Sequence, residues 1–206
     1  MNVLLINGSP NEHGCTYTAL AEVAGSLNSN GIETDILHIG SAPIQDCTAC
    51  GQCRGKNYCV FGGDAVNKCV DLLKNADGLV VGSPVYYAGP TGSVCAFLDR
   101  LFYNKGAMYA YKPAAVVVSC RRAGSTAALD RLYKYFPLSG MPIVSSQYWN
   151  MVHGNTPGEV RQDLEGMQIM RTLGANMAWL IKCIAAARDT VPYPQKETRI
   201  GTNFIR

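Results

Sequence analysis

Short apolar runs, each followed by a loop and then by apolar residues at helical spacing, recur along this chain, and that alternation limits its fold more than any other feature. The first run, VLLIN at positions 3–7, is apolar almost without interruption, as expected of a central strand covered on both faces. After a Gly-containing loop, residues 16–30 place Ala19, Leu20, Val23, Ala24 and Leu27 on one helical face, with Gly31 at the stop. IETDILHI predicts a second strand, and a helix follows from Asp64, a fitting N-cap, with Val66, Cys69, Val70 and Leu73 inward. GLVVGSP predicts the third strand, and Val94, Phe97, Leu98, Leu101 and Phe102 mark a helix over 92–103. AAVVVS, STAALDRLYKYF and MPIVSS predict strand, helix and strand. A last helix starts near Asp163, and its regularly spaced methionines, Met167, Met170 and Met177, read as core filling.

Five strands alternating with five helices predict an α/β fold, a five-stranded parallel sheet with helices on both faces, because parallel strands need covering crossovers. In such sheets ligands sit beyond the carboxyl ends of the strands, where strand order reverses. The loops after VLLIN, GLVVG and AAVVVS are therefore the places to search. The 206 residues, 48% of them hydrophobic, suffice for one domain over 1–206, with a cysteine-rich loop at 44–63 and an aperiodic tail at 188–206 that lies over the body or a neighbouring subunit. No leader or spanning segment is expected, which points to a cytoplasmic protein without a membrane partner. A net charge of +3 with scattered Lys and Arg gives no nucleic-acid footprint.

The loop NGSPNEHGCTYT joins the first strand to the first helix, where free backbone N–H groups favour an anion. Ser9, Thr16, Tyr17 and Thr18 add hydroxyls beside Pro10. Cys15 stands where a nucleotide-binding P-loop would carry its lysine, and G-x-G-x-x-G is absent, so neither ATP hydrolysis nor a dinucleotide fits. A monophosphate such as that of FMN does. Pro84, Val85, Tyr86 and Tyr87 end the third strand as an aromatic ledge for a flat ring, and Arg121-Arg122 follow the fourth strand where they can face a ring carbonyl or a nucleotide phosphate. The bland alternatives are a polar loop, half-buried core tyrosines and solvated arginines.

Cys47, Cys50, Cys53 and Cys59 fall in the run CTACGQCRGKNYC. Nine cysteines cannot all pair within the chain, and a reducing cytosol disfavours disulfides. Three cysteines at intervals of three with a fourth six later suit an iron-sulfur cube better than zinc, which prefers separated Cys-x-x-Cys knuckles. A thiol-rich loop without metal stays open beside these. Cys15, Cys69, Cys95, Cys120 and Cys183 read as isolated core or near-core residues.

The stretches GSPNEHGCTYT, GSPVYYAGPTGSVCAFLDRLFY and QYWNMVHG resemble the NAD(P)H-dependent FMN reductase group of flavodoxin-like proteins over nearly the whole chain. With the cysteine run included, the chain most resembles the iron-sulfur flavoproteins, although Gly63 precedes Asp64 where relatives often carry paired aspartates. The resemblance implies that Ser9, Pro10, Thr16, Tyr17 and Thr18 hold an FMN phosphate, and that Pro84, Val85, Tyr86, Tyr87, Ser119, Arg121 and Gly124 surround the ring. It also implies NADPH or NADH as reductant, a [4Fe-4S] cluster on the four cysteines, and a homodimer or homotetramer. Three functions are consistent with it: an oxidoreductase passing electrons to a flavin, quinone or other small acceptor, a non-enzymatic carrier reduced by a ferredoxin-like partner, and a thiol-based sensor. His13 and His153 are expected to be loop residues and no catalytic residue is assigned, because the flavin itself carries the chemistry.

Overall fold

In a computed structural model that describes residues 1–103, 106–198 and 200–202, the strands are β1 (Asn2–Asn7), β2 (Glu33–His38), β3 (Gly78–Pro84), β4 (Ala114–Cys120) and β5 (Met151–His153). The helices are α1 (Cys15–Ser29), α2 (Ala65–Asn75), α3 (Gly92–Phe102), α4 (Ser125–Tyr133), α5 (Tyr135–Leu138), α6 (Pro157–Gln162) and α7 (Leu164–Ala187). All strands are parallel, as the alternation predicts, and their order β2-β1-β3-β4-β5 reverses between β1 and β3.

Period-two alternation sorts the strand residues into two layers. Val3, Leu5, Val80, Ala115 and Val117 pack with α1 and α7, while Leu4, Ile6, Leu79, Val81 and Val116 pack with α2, α3 and α4. The apolar faces expected of the long helices lie in these layers, including Met167, Met170 and Met177 of α7. Asp64 caps α2 as expected, accepting from the Val66 N–H at 3.1 Å. No helix among the described residues is long and apolar enough to cross a membrane.

The fifth strand is not where the apolar run MPIVSS places it. Residues 141–146 make a single bridge, Ala114 with Ile143, beside the start of β4, and the strand proper is Met151–His153 beside its end. Pro142 has no N–H to give to a ladder and contributes only its carbonyl, to the Ala114 N–H. The chain then loops out through Ser146, whose hydroxyl meets the Tyr148 carbonyl and the Asn150 side chain, before rejoining the sheet. The edge strand is thus split in two, and its ladder portion is too short to show a period. Of the tail, Tyr193 stacks on Tyr111 with ring centroids 4.6 Å apart; Arg199 and residues 203–206 lie outside the described residues.

Burial raises the Cys69 thiol from 9.0 to about 12 and the Tyr133 hydroxyl from 10.0 to about 12, and it lifts Tyr109 and Tyr135 further. These acids hold their protons more tightly folded than unfolded. Above the unfolded values the folded state therefore binds more protons, and stability falls as pH rises. Lys112, its charged form disfavoured by burial, opposes this, but burial raises Cys15, Cys95 and Cys120 as well, so one base faces seven acids. The urea midpoint is expected to stay level from pH 7 to about 8.5 and to fall steadily from about pH 9 to 12. A midpoint that rises over the alkaline range would contradict this account.

Candidate functional site

The loop between β1 and α1 is shaped from within. The buried Asn7 side chain accepts from the Ser9 N–H at 3.2 Å and donates to the Glu12 carbonyl at 2.8 Å, and the Ser9 hydroxyl accepts from the Asn11 N–H at 3.1 Å. His38 of β2 adds a contact from Nε2 to the Ser9 carbonyl at 2.8 Å. Helix α1 is capped by Gly14 with no side-chain acceptor, whereas Asp64, Thr91, Thr156 and Asp163 cap α2, α3, α6 and α7. Its first N–H groups and the positive end of its dipole thus have no oxygen supplied by a capping side chain, the condition that suits an anion.

The predicted hydroxyls gather at this end. Ser9, Thr16 and Thr18 are buried; the Thr16 and Ser119 hydroxyls share a hydrogen bond of 2.8 Å across 103 residues of chain, and Thr18 donates to the Gly14 carbonyl. Tyr17 is half-buried with its ring edge-on to His13, and Pro10 is exposed at the loop surface.

The second loop locks onto the first. The Gly8 N–H donates to the Gly82 carbonyl at 2.9 Å, and the Thr91 hydroxyl both donates to the Gly8 carbonyl at 3.1 Å and accepts from the Val94 N–H as the cap of α3. A Cβ on Gly8 would lie 2.7 Å from the Gly82 carbonyl oxygen, so only glycine allows this approach. Beyond Pro84 and Val85, residues Tyr86 to Gly89 form a tight turn closed by hydrogen bonds of 2.8 and 2.9 Å. Its two central residues, Tyr87 and Ala88, have φ of +48° and +58°, which favours glycine. Tyr86 is half-exposed and Tyr87 fully exposed.

This turn leans on Gly124, the cap of α4, whose φ is +89° and whose absent side chain leaves room for Ala88. Holding two non-glycine residues in the left-handed region costs on the order of 1 kcal/mol each. Replacing Tyr87 by glycine relieves that strain but adds entropy to the unfolded chain, so the melting temperature is expected to rise by only roughly 1–2 °C, while the site widens; calorimetry of the two proteins checks it, and a drop would mean that the Tyr87 ring supports the turn.

Arg121 and Arg122 follow β4, are exposed, and make no ion pair among the described residues, so both are available to an anionic ligand. The residues predicted from sequence around the ring thus come from three loops interlocked at the reversal point. What sequence reasoning missed is the frame: Asn7, His38 and Thr91. Thr91 carried a readable signal, since it precedes the apolar stripe of α3 at the N-cap position.

The cysteine loop leaves β2 at the sheet edge and folds over α2 and α3. Cys47, Cys50, Cys53 and Cys59 line one cavity of about 20 Å³, together with Phe61, Arg100 and Tyr103. Ala49, Gly51 and Gly55 all have positive φ, so the run from Cys47 to Cys59 bends sharply at three points around this cavity. Cys59 is held through its backbone, its N–H donating to Asn67 Oδ1 at 2.8 Å and its carbonyl accepting from Asn67 Nδ2 at 2.9 Å. No three ligand-type side chains among the described residues converge on a single-ion position. A four-iron cube gives each cysteine its own iron. The donor set fits a cube in number and chemistry. The cavity as it stands has room for about one water molecule.

A family model described as "NADPH-dependent FMN reductase" matches residues 1–156. An iron-sulfur flavoprotein of Methanocaldococcus jannaschii is 27% identical over 192 residues, covering 89% of this chain and 99% of that protein. An iron-sulfur flavoprotein of Methanosarcina thermophila is 24% identical over 193 residues, covering 92% of this chain and all of its own length. Among solved structures, RosB with bound 8-demethyl-8-formylriboflavin-5'-phosphate superposes with a TM-score of 0.69 at 13% identity, covering all of this chain and 94% of that one, a likeness of fold. The interlocked loops at the reversal point and the match through residue 156 lead to one statement: the chain belongs to the NADPH-dependent FMN reductase family.

Proposed function

We propose that the protein is an FMN-dependent oxidoreductase that takes electrons from NADPH or NADH and passes them to a small acceptor such as a flavin or quinone, with a [4Fe-4S] cluster on Cys47, Cys50, Cys53 and Cys59 as a one-electron outlet. The observation that carries the reading is the α1 N-terminus, glycine-capped and ringed by Ser9, Thr16 and Thr18, in a chain of this family. The loop from Ser9 to Thr18 would hold the FMN phosphate. Pro84 to Tyr87, Ser119 and Gly124 would shelter the ring, and Arg121 would meet a carbonyl or a nucleotide phosphate. Bound FMN supplies both hydride acceptance and one-electron transfer. The chain's own residues position and exclude water, and no side chain needs to move a proton.

Four thiols around one cavity support the cluster. Nine cysteines without a disulfide suit the reducing cytoplasm. Exposed Tyr148 and Trp149 beside β5 favour a homodimer or homotetramer.

The test is anaerobic purification from iron-supplied cells, followed by the absorption spectrum, iron and sulfide counts, and reduction by each nucleotide. Flavin bands, about four irons per chain and bleaching by NADPH or NADH are the expected result. Prompt reduction by a ferredoxin with none by either nucleotide would turn the assignment to an electron carrier. A protein that binds no flavin would end it.

A further inference from the structure

Arg100 is the largest fully buried side chain in the described structure, and the flavin loops do not use it. A guanidinium has five N–H donors in a rigid fork, and each has an acceptor here. Nε donates to Cys59 Sγ at 3.3 Å, Nη1 to the Gln45 carbonyl at 3.1 Å and Nη2 to the Phe61 carbonyl at 2.7 Å. The remaining two go to the Asp64 carboxylate, which accepts on both oxygens. An arginine that merely tied α3 to the cap of α2 would need only that bidentate pair. The other three donors reach the residues flanking the cysteine run, Gln45 before Cys47 and Phe61 after Cys59, and the sulfur of Cys59 itself.

We propose that Arg100 is the positioning residue of the cysteine cavity: it closes the chain from 45 to 61 around one buried guanidinium and sets the reduction potential of a cluster held there through its N–H to the Cys59 sulfur. The inference rests on the [4Fe-4S] reading above. A reduced cluster carries one more negative charge than an oxidised one. A buried positive donor on a ligand sulfur therefore stabilises the reduced form and raises the potential, and the nearby Asp64 carboxylate partly offsets it.

Removing the positive and the negative member of this pair must then shift the potential in opposite directions. Wild type, Arg100→Gln and Asp64→Asn would be reconstituted anaerobically with iron and sulfide, counted for iron, checked for fold by circular dichroism, and titrated by electron paramagnetic resonance. The glutamine variant is expected to lower the one-electron midpoint and the asparagine variant to raise it. Each shift is expected to be about tenfold in the equilibrium constant, or about 59 mV. Both variants loosen the loop, so a purely structural role would shift them together; shifts of the same sign, or none, overturn the proposal. If Arg100→Gln does not fold, Asp64→Asn decides alone, since the asparagine side chain keeps an oxygen to cap α2: a raised midpoint supports the proposal and a lowered or unchanged one ends it. Wild type that takes up no iron overturns the cluster reading and this inference together, and the iron count separates that failure from a cluster whose potential ignores Arg100.

Discussion

Asp64→Ala is expected to cost about 3–5 kcal/mol of stability. Arg100 has no exposed side-chain surface and Asp64 is 15% exposed, so removing the carboxylate takes from a buried cation the charged acceptor of two of its five N–H donors. The same change removes the oxygen that caps α2, worth about a further 1 kcal/mol. For a chain of this size the melting temperature should drop by roughly 10 °C, and the cysteine loop should become the first site of proteolytic cleavage. Urea denaturation of the two proteins measures the first and a timed digest the second. A loss below about 1 kcal/mol would mean that water enters beside Arg100 and takes the place of the carboxylate.

Gly124→Ala is expected to abolish tight flavin binding while leaving the sheet intact. The new Cβ would sit 2.7 Å from Ala88 Cα and 3.0 Å from its Cβ, and the backbone there has φ of +89°. The steric conflict falls on the turn from Tyr86 to Gly89, which forms the ledge proposed for the ring, so the turn must move outward. The expectation is a flavin dissociation constant raised by at least about tenfold, that is ~1.4 kcal/mol or more, with far-ultraviolet circular dichroism unchanged. Fluorescence titration with FMN checks it. Unchanged affinity would place the ring elsewhere than against the second and third loops.

Both predictions concern residues whose meaning differs between sequence and structure. The loop that holds Gly124 was legible because it follows the fourth apolar run, where a parallel sheet presents its ligands, and the glycine itself was named through the family resemblance. Arg100 was not legible. In the sequence it stands between Asp99 and Leu101 near the end of a largely apolar helix, where a solvated arginine is the ordinary expectation. Its burial depends on a loop that crosses from β2, about forty residues earlier in the chain, and no local pattern encodes that crossing. The fifth strand failed for the opposite reason: MPIVSS has a strand's composition, but the missing N–H of Pro142 and the neighbouring loop shift the ladder to three residues with no signature of their own.

What the amino-acid sequence by itself determined is the first four strands, the apolar faces of the long helices, the parallel character of the sheet, and the three loops and four cysteines where chemistry can occur. These follow from hydrophobic period, caps and residue type, which are local properties. What only the tertiary structure decided is how the loops interlock through Gly8, Thr91 and the Thr16–Ser119 pair, and that all four cysteines share a cavity closed by Arg100. Those contacts join residues up to 103 positions apart. Hydrogen-bond geometry and burial select them only once the sheet has brought its strand ends together.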